Sequence, residues 1–152
     1  MDHVAIMSVI RSASGGNKKL GLIGRILSGH KTIETRWYKN KSSPWDKIEA
    51  GETIYFKDSG GPIRASAIVV KVKQFSNLTL SDSQKIVDKY GSVGLIDIQD
   101  KNVTTWAVGK NYAILIWLKN IKSIAPFQIN KSGFGSACAW ITTNDIDTIR
   151  VS

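Results

Sequence analysis

Apolar positions along the chain fall into short blocks punctuated by glycine, serine and proline. His3 to Ile10 is apolar and rich in β-formers, and it reads as a buried strand. A polar loop, Arg11 to Asn17, follows. Leu20, Ile23, Ile26 and Leu27 then recur at helical spacing, and Ser28-Gly29 supplies a C-terminal stop. Thr32 to Trp37 alternates with period two, as a strand does. Ser43-Pro44-Trp45 breaks the pattern, and Asp46 to Gly51 reads as a turn. Thr53 to Lys57 is strand-like, Asp58-Ser59-Gly60-Gly61-Pro62 is a turn signal, and Ile63 to Phe75 predicts a long strand. Thr79 or Ser81 caps a helix that runs to Tyr90 and stops at Gly91. Tyr112 to Ile121 and Ala137 to Thr143 are the remaining strands. No repeat, low-complexity tract or linker interrupts the series, so one domain over residues 1–152 is expected. Short strands with two helices predict a mostly β, α+β fold, a small β-barrel decorated by helices.

Composition narrows the partners. The 152 residues are 42% hydrophobic and 22% charged, the balance of a soluble globular chain. Lys and Arg number 21 against 12 acids, for a net charge of +9. Such a surplus favours a polyanion, with nucleic acid ahead of a membrane surface. Eight of the bases and two of the acids lie in the first 41 residues, so six of the nine net charges gather there. One cysteine, Cys138, excludes an internal disulfide, and with only two histidines a structural zinc site lacks ligands. No metal and no cofactor are expected. The longest apolar run, Ala113 to Leu118, is far short of the ~20 residues that span a bilayer. The first residues carry Asp2 where a signal peptide would carry a base, and a cytoplasmic location without membrane attachment is expected.

The segment Leu27 to Arg36 concentrates the chemistry. On a strand from Thr32, Glu34 and Arg36 share one face, about 6–7 Å apart, while Ile33, Thr35 and Trp37 share the other. Lys31 stands at the junction between the helix stop and that strand. Arg suits bidentate contact with phosphate or a base oxygen, and Glu accepts from an exocyclic amine. A solvated strand face with an ordinary ion pair explains the same spacing.

Gly29-x-Lys31-x-x-Glu34-x-Arg36 resembles the Gly-x-Lys-x-x-Glu-x-Arg signature of the ASCH domain family, within the PUA-like superfamily. Pro44-Trp45-Asp46-Lys47-Ile48, Gly51 to Lys57, Gly133-Phe134-Gly135 and Ala139-Trp140 are similar to segments of the same family. The resemblance runs from about Ile6 to Trp140. It implies a PUA-like β-barrel, a cleft lined by the signature residues, and a role in binding or processing RNA or a nucleotide. One branch of the superfamily resembles an amidohydrolase of acetylated cytidine, in which the signature lysine works with a threonine three residues on and a distant glutamate. Lys31 matches that lysine, but Glu34 stands where the threonine would be. A carboxylate does not replace an attacking hydroxyl, although Glu34 can activate a water as general base. Were the chain an enzyme, a hydrolase of RNA or of an acylated nucleoside, Lys31 and Glu34 would be its catalytic residues. A ribonuclease built on two histidines would have only His3 and His30 to use. Acid pairs such as Asp97 with Asp100 and Asp145 with Asp147 read as turn acids rather than metal ligands.

Further contacts to RNA are expected around this centre. Trp37 and Trp45 flank the basic loop that holds Lys39 and Lys41, and an aromatic beside bases is how proteins stack unpaired nucleobases. Packing of the same loop onto the barrel accounts for them as well. Lys57, Asp58 and Ser59 open a Gly-rich turn whose N–H groups suit an anion, and Lys131 stands in a second Gly-rich loop. Ser14 to Lys19 lacks the spacing of a P-loop, which excludes nucleoside triphosphate hydrolysis of that type. A protein-interaction module whose charge serves only solubility remains the alternative to nucleic-acid binding.

Overall fold

The computed structural model describes residues 1–7, 21–91, 96–98, 100–135 and 138–151. Ser8 to Ile10 of the first expected strand, the polar loop Arg11 to Asn17, Lys18, Lys19, Leu20 and Ala137, the first residue expected in the last strand, lie outside them. Seven strands and two helices follow in the order β1 (Asp2–Met7), α1 (Leu22–Leu27), β2 (Ile33–Tyr38), β3 (Thr53–Asp58), β4 (Ile63–Phe75), α2 (Leu80–Tyr90), β5 (Tyr112–Ile129), β6 (Trp140–Thr143) and β7 (Arg150–Val151). Short 3-10 turns at Val103–Thr105 and Ile146–Thr148 were not legible from periodicity. The main path of the sheet is β2-β5-β4-β3-β1-β6, with β7 paired to the far end of β5. β1 and β3 run parallel, and every other pair is antiparallel. The sheet curls strongly into a half-barrel, the mostly β, α+β form expected.

β5 runs eight residues beyond the Ile121 end that its apolar run predicts. Its second half is mostly exposed and pairs with β4 through register shifts. Asn120 takes a left-handed φ of 51° at one irregularity, and Pro126 falls between Ser123 and Phe127, where the register slips again. A strand tolerates proline only where a ladder hydrogen bond is already absent. Burial decides the strand's first half, whereas the second combines backbone pairing with the half-buried Ile124, Phe127 and Ile129.

Alternation along the strands sorts side chains into separate cores. Ile114 and Ile116 of β5 join Ala5, Met7, Ile23, Ile26 and Phe56 inside the curl. Ala113 and Leu115 of the same strand point the other way, onto Ile86 and Val87 of α2 together with Ile33, Ile96 and Val103. Val4, Ile6, Ile63 and Ile141 form a third cluster. β1 is covered on both faces, which is why its sequence is an uninterrupted apolar run. No helix among the described residues is long and apolar enough to cross a membrane.

α2 is anchored at both ends. Thr79 and Asp82 form a reciprocal capping box. At the other end the buried Gly91 donates its N–H to the Val87 carbonyl at 2.6 Å. A Cβ there would meet that carbonyl oxygen at 2.3 Å, closer than real contacts allow. Gly91→Ala is therefore expected to lower stability by about 1–3 kcal/mol, as overpacking does, measured by denaturant unfolding.

Candidate functional site

The corner between α1 and β2 is built by a glycine. Gly29 adopts φ +85°, a conformation that penalises other residues, and its N–H closes on the Ile26 carbonyl at 3.2 Å. Two residues later the Lys31 N–H returns to the Arg25 carbonyl at 3.0 Å, which turns its side chain inward. Lys31 is 4% exposed, and its ammonium donates to the Ile96 carbonyl. Arg25 clamps that segment by gripping Asp97 with both arms of its guanidinium, one at 2.7 Å. Burial pushes the Lys31 ammonium below its ordinary pKa, and the nearby carboxylates of Glu34 and Asp97 oppose the shift.

Glu34 is 3% exposed, on the inner face of β2. Its Oε1 accepts from the Thr35 N–H at 3.0 Å and lies 3.7 Å from Arg36 Nε. Its Oε2 is buried with no hydrogen-bond partner. The Arg36 terminal nitrogens reach across to the Ala139 carbonyl at 3.2 Å and the Ile6 carbonyl at 3.4 Å. The guanidinium also stacks over Trp140, 5.1 Å from the ring centroid. β2 and the β1–β6 pair stand at opposite ends of the main sheet path, so Arg36 bridges the seam that the curl brings together. Trp140 is in turn fixed by His3: its indole N–H donates to Nδ1 at 3.1 Å, which leaves Nε2–H to donate to Glu52 at 2.9 Å.

A cleft of about 430 Å³ opens beside this seam. Glu34, Arg36 and Trp37 line it, with Tyr38, Trp106 and Lys110 among the other walls. Three polar atoms in its walls are buried and lack hydrogen bonds: Glu34 Oε2, Arg36 Nε and Trp37 Nε1. Buried polar groups are satisfied in the great majority of native structures, so one acceptor and two donors left open at one cleft mark a place for a polar, planar ligand edge. Trp37 meets Trp106 edge to face, ring centroids 4.9 Å apart.

The other residues singled out from the sequence lie elsewhere. Gly29 shapes the corner, and Lys31 sits behind the cleft wall rather than in it. Lys39 and Lys41 are exposed, and the Lys41 ammonium stands 5.9 Å from the centroids of both Trp45 and Tyr112. Trp45 packs edge-on against Tyr112 and onto the inner core. Lys57 is 4% exposed and donates to the Asp58 carbonyl at 3.2 Å, its pKa lowered by burial and then by Lys131. The Asp58 side chain is paired with Arg64 at 3.0 Å, and the Ser59 N–H donates to Met7 at 2.9 Å. Trp106 and Lys110 escaped the sequence reading. An aromatic followed by a base is the signal that singled out Trp45, but only folding brings this pair to β2. Among the described residues no group of three or more His, Cys, Asp or Glu is placed to hold a metal.

No family model and no curated protein matches the chain. Solved structures do. An ASCH protein of Zymomonas mobilis is 14% identical, with 97% of this chain and 90% of that one covered at a TM-score of 0.61. Two single-substitution variants of that protein match alike. One is 14% identical with 97% and 93% covered at 0.62, and the other is 15% identical with 97% and 91% covered at 0.61. At this identity the likeness shows a shared fold: the chain has the fold of the ASCH structures.

Two expectations follow from the seam. Arg36→Met strands a buried carboxylate and two carbonyls, and should destabilise by about 3 kcal/mol, whereas adding Glu34→Leu should restore most of that loss in a double-mutant cycle. His3, wholly buried, is held below its ordinary pKa of 6.5 chiefly by burial. Below 6.5 the unfolded chain binds a proton that the folded chain resists. Stability should therefore fall as the pH drops below about 7.5, and His3→Gln should flatten that slope in urea titrations.

Proposed function

We propose that residues 1–152 form one ASCH-type domain that binds RNA and takes a single nucleobase or nucleotide into the β2 cleft. The observation that carries this reading is that three residues lining one cleft, Glu34, Arg36 and Trp37, each hold a buried polar atom with no hydrogen-bond partner. A nucleobase edge presents donors and acceptors side by side, and a small rotation of the Glu34 carboxylate meets an amino group or ring N–H. The cleft volume lies within the range of small-molecule sites and is too small for a duplex. Trp37, Tyr38 and Trp106 supply aromatic walls for a base. The ASCH fold and the net charge of +9 agree with an RNA partner, and a cytoplasmic location goes with it. In this reading Lys31 is a positioning residue. Its ammonium supports the Glu34 charge from behind, and Arg36 holds the seam with its Nε left without a hydrogen bond.

The same open oxygen is what a hydrolase would use, with Glu34 taking a proton from water to attack an acylated or modified nucleoside. One substitution separates the two. Glu34→Gln puts an NH₂ where the base needs an acceptor, so recognition should weaken about tenfold or more. Fluorescence titration with short single-stranded RNA and with the ribonucleoside monophosphates measures this, with product formation followed in parallel. Unchanged affinity with lost turnover would establish the hydrolase. Unchanged affinity without turnover, in a folded variant, would sink the cleft reading.

A further inference from the structure

A second groove, about 480 Å³, lies between the end of β4 and α2. Its strand wall carries Lys73 and Phe75, and its helix wall carries Lys85, Lys89 and Tyr90. The pattern behind it is regular. Lys71, Lys73 and Phe75 alternate onto one face of β4, about 6–7 Å apart. Lys85 and Lys89 are one helical turn apart on α2 and form a stripe along that helix. Two rows of ammonium groups thus flank a floor that is partly aromatic.

The aromatics are presented rather than buried. Lys73 sits 5.2 Å from the Phe75 ring centroid, Lys89 sits 5.2 Å from that of Tyr90, and Lys71 sits 4.2 Å from that of Trp117. Tyr90 and Trp117 meet edge to face at 5.7 Å, which fixes both rings. All three rings are half-buried, and all four lysines are exposed. Among the described residues none of these lysines belongs to an ion pair. The one carboxylate in the groove wall, Asp82, is committed to the capping box, where it accepts from the Thr79 N–H at 3.1 Å. Four cations outside any ion pair, interleaved with three rings, complement a strand that offers phosphates on one edge and bases on the other.

We propose that the β4–α2 groove is a binding track for the backbone of single-stranded RNA, separate from the nucleotide cleft on β2. Lys71, Lys73, Lys85 and Lys89 neutralise successive phosphates, and Phe75, Tyr90 and Trp117 offer ring faces to unpaired bases. The groove is concave, which fits a strand and not a flat anionic bilayer. The identity of the polymer rests on the RNA reading above, whereas the site itself does not share a residue with the cleft.

The test uses the full chain with Lys73→Glu and Lys89→Glu together, against a control of equal charge change, Lys119→Glu with Lys122→Glu, on exposed lysines of β5 outside the groove. The probes are an unstructured RNA of about twelve nucleotides, the four ribonucleoside monophosphates, and phosphatidylserine vesicles. The groove variant is expected to lose about tenfold or more in RNA affinity at low salt, with the slope of log affinity against log salt reduced by about 0.7 per lysine. The control should change less than about threefold, and mononucleotide binding should be the same in all three proteins. Groove and control variants that match each other in RNA affinity would overturn the track, and so would a loss confined to the vesicles. A Glu34→Gln variant that loses mononucleotides while the groove variant keeps full RNA affinity would leave the cleft standing and the track refuted. Loss of RNA in the groove variant with no mononucleotide bound by any protein would refute the cleft and keep the track.

Discussion

Three charged side chains from one short stretch, Lys31, Glu34 and Arg36, are carried into the interior at the start of β2, and the rest of the site depends on their being paired there. A buried charge is costly unless partners surround it. Here the partners come from separate segments of the chain. Ile96 supplies a carbonyl to Lys31, Ile6 and Ala139 supply carbonyls to Arg36, and Arg36 neutralises Glu34. The Arg36 contacts to Ile6 and Ala139 do not exist until the sheet curls. The curl and the charges therefore specify one another: the half-barrel brings its two ends within reach, and Arg36 joins them.

The bridge is incomplete in a way that matters. Arg36 directs its terminal nitrogens at backbone and stacks on Trp140, so its Nε and Glu34 Oε2 are left over. The layer on the outer face of β2 adds Trp37 and Trp106 to the same opening. Among the described residues, three of the five buried polar atoms without a partner belong to residues that line this one cleft. The chain of contacts from Glu52 through His3 to Trp140 holds the platform under Arg36 and links the first strand to the site.

The sheet also separates two kinds of surface. Inside the curl, cations are buried singly and matched with carbonyls or carboxylates. On the outer face, beside α2, lysines stand in rows over rings, outside any ion pair. The same net charge thus serves precise placement on one side and a diffuse field on the other, and only the second kind weakens strongly with salt.

Local pattern was enough for most of the elements. Period two marked β2, strand-like runs between turn signals marked β3 and β4, a cap at Thr79 and a stop at Gly91 marked α2, and Gly29 marked the corner on which Lys31 turns. The alternation that put Glu34 and Arg36 on one face holds in the structure, because side-chain direction in a strand is a local property. The extension of β5 to Ile129 and the 3-10 turns escaped, since pairing and loop closure rather than hydrophobic period create them. Which cation faces a ligand was also beyond local reading. Lys31 lies behind the wall and Lys110 in it because of packing between segments some 79 positions apart in the chain. Sequence determined the residues, their faces and the charge, all set by neighbours along the backbone. Tertiary structure decided which of those charges are spent on the fold and which remain open, because that depends on partners that only the curled sheet brings together.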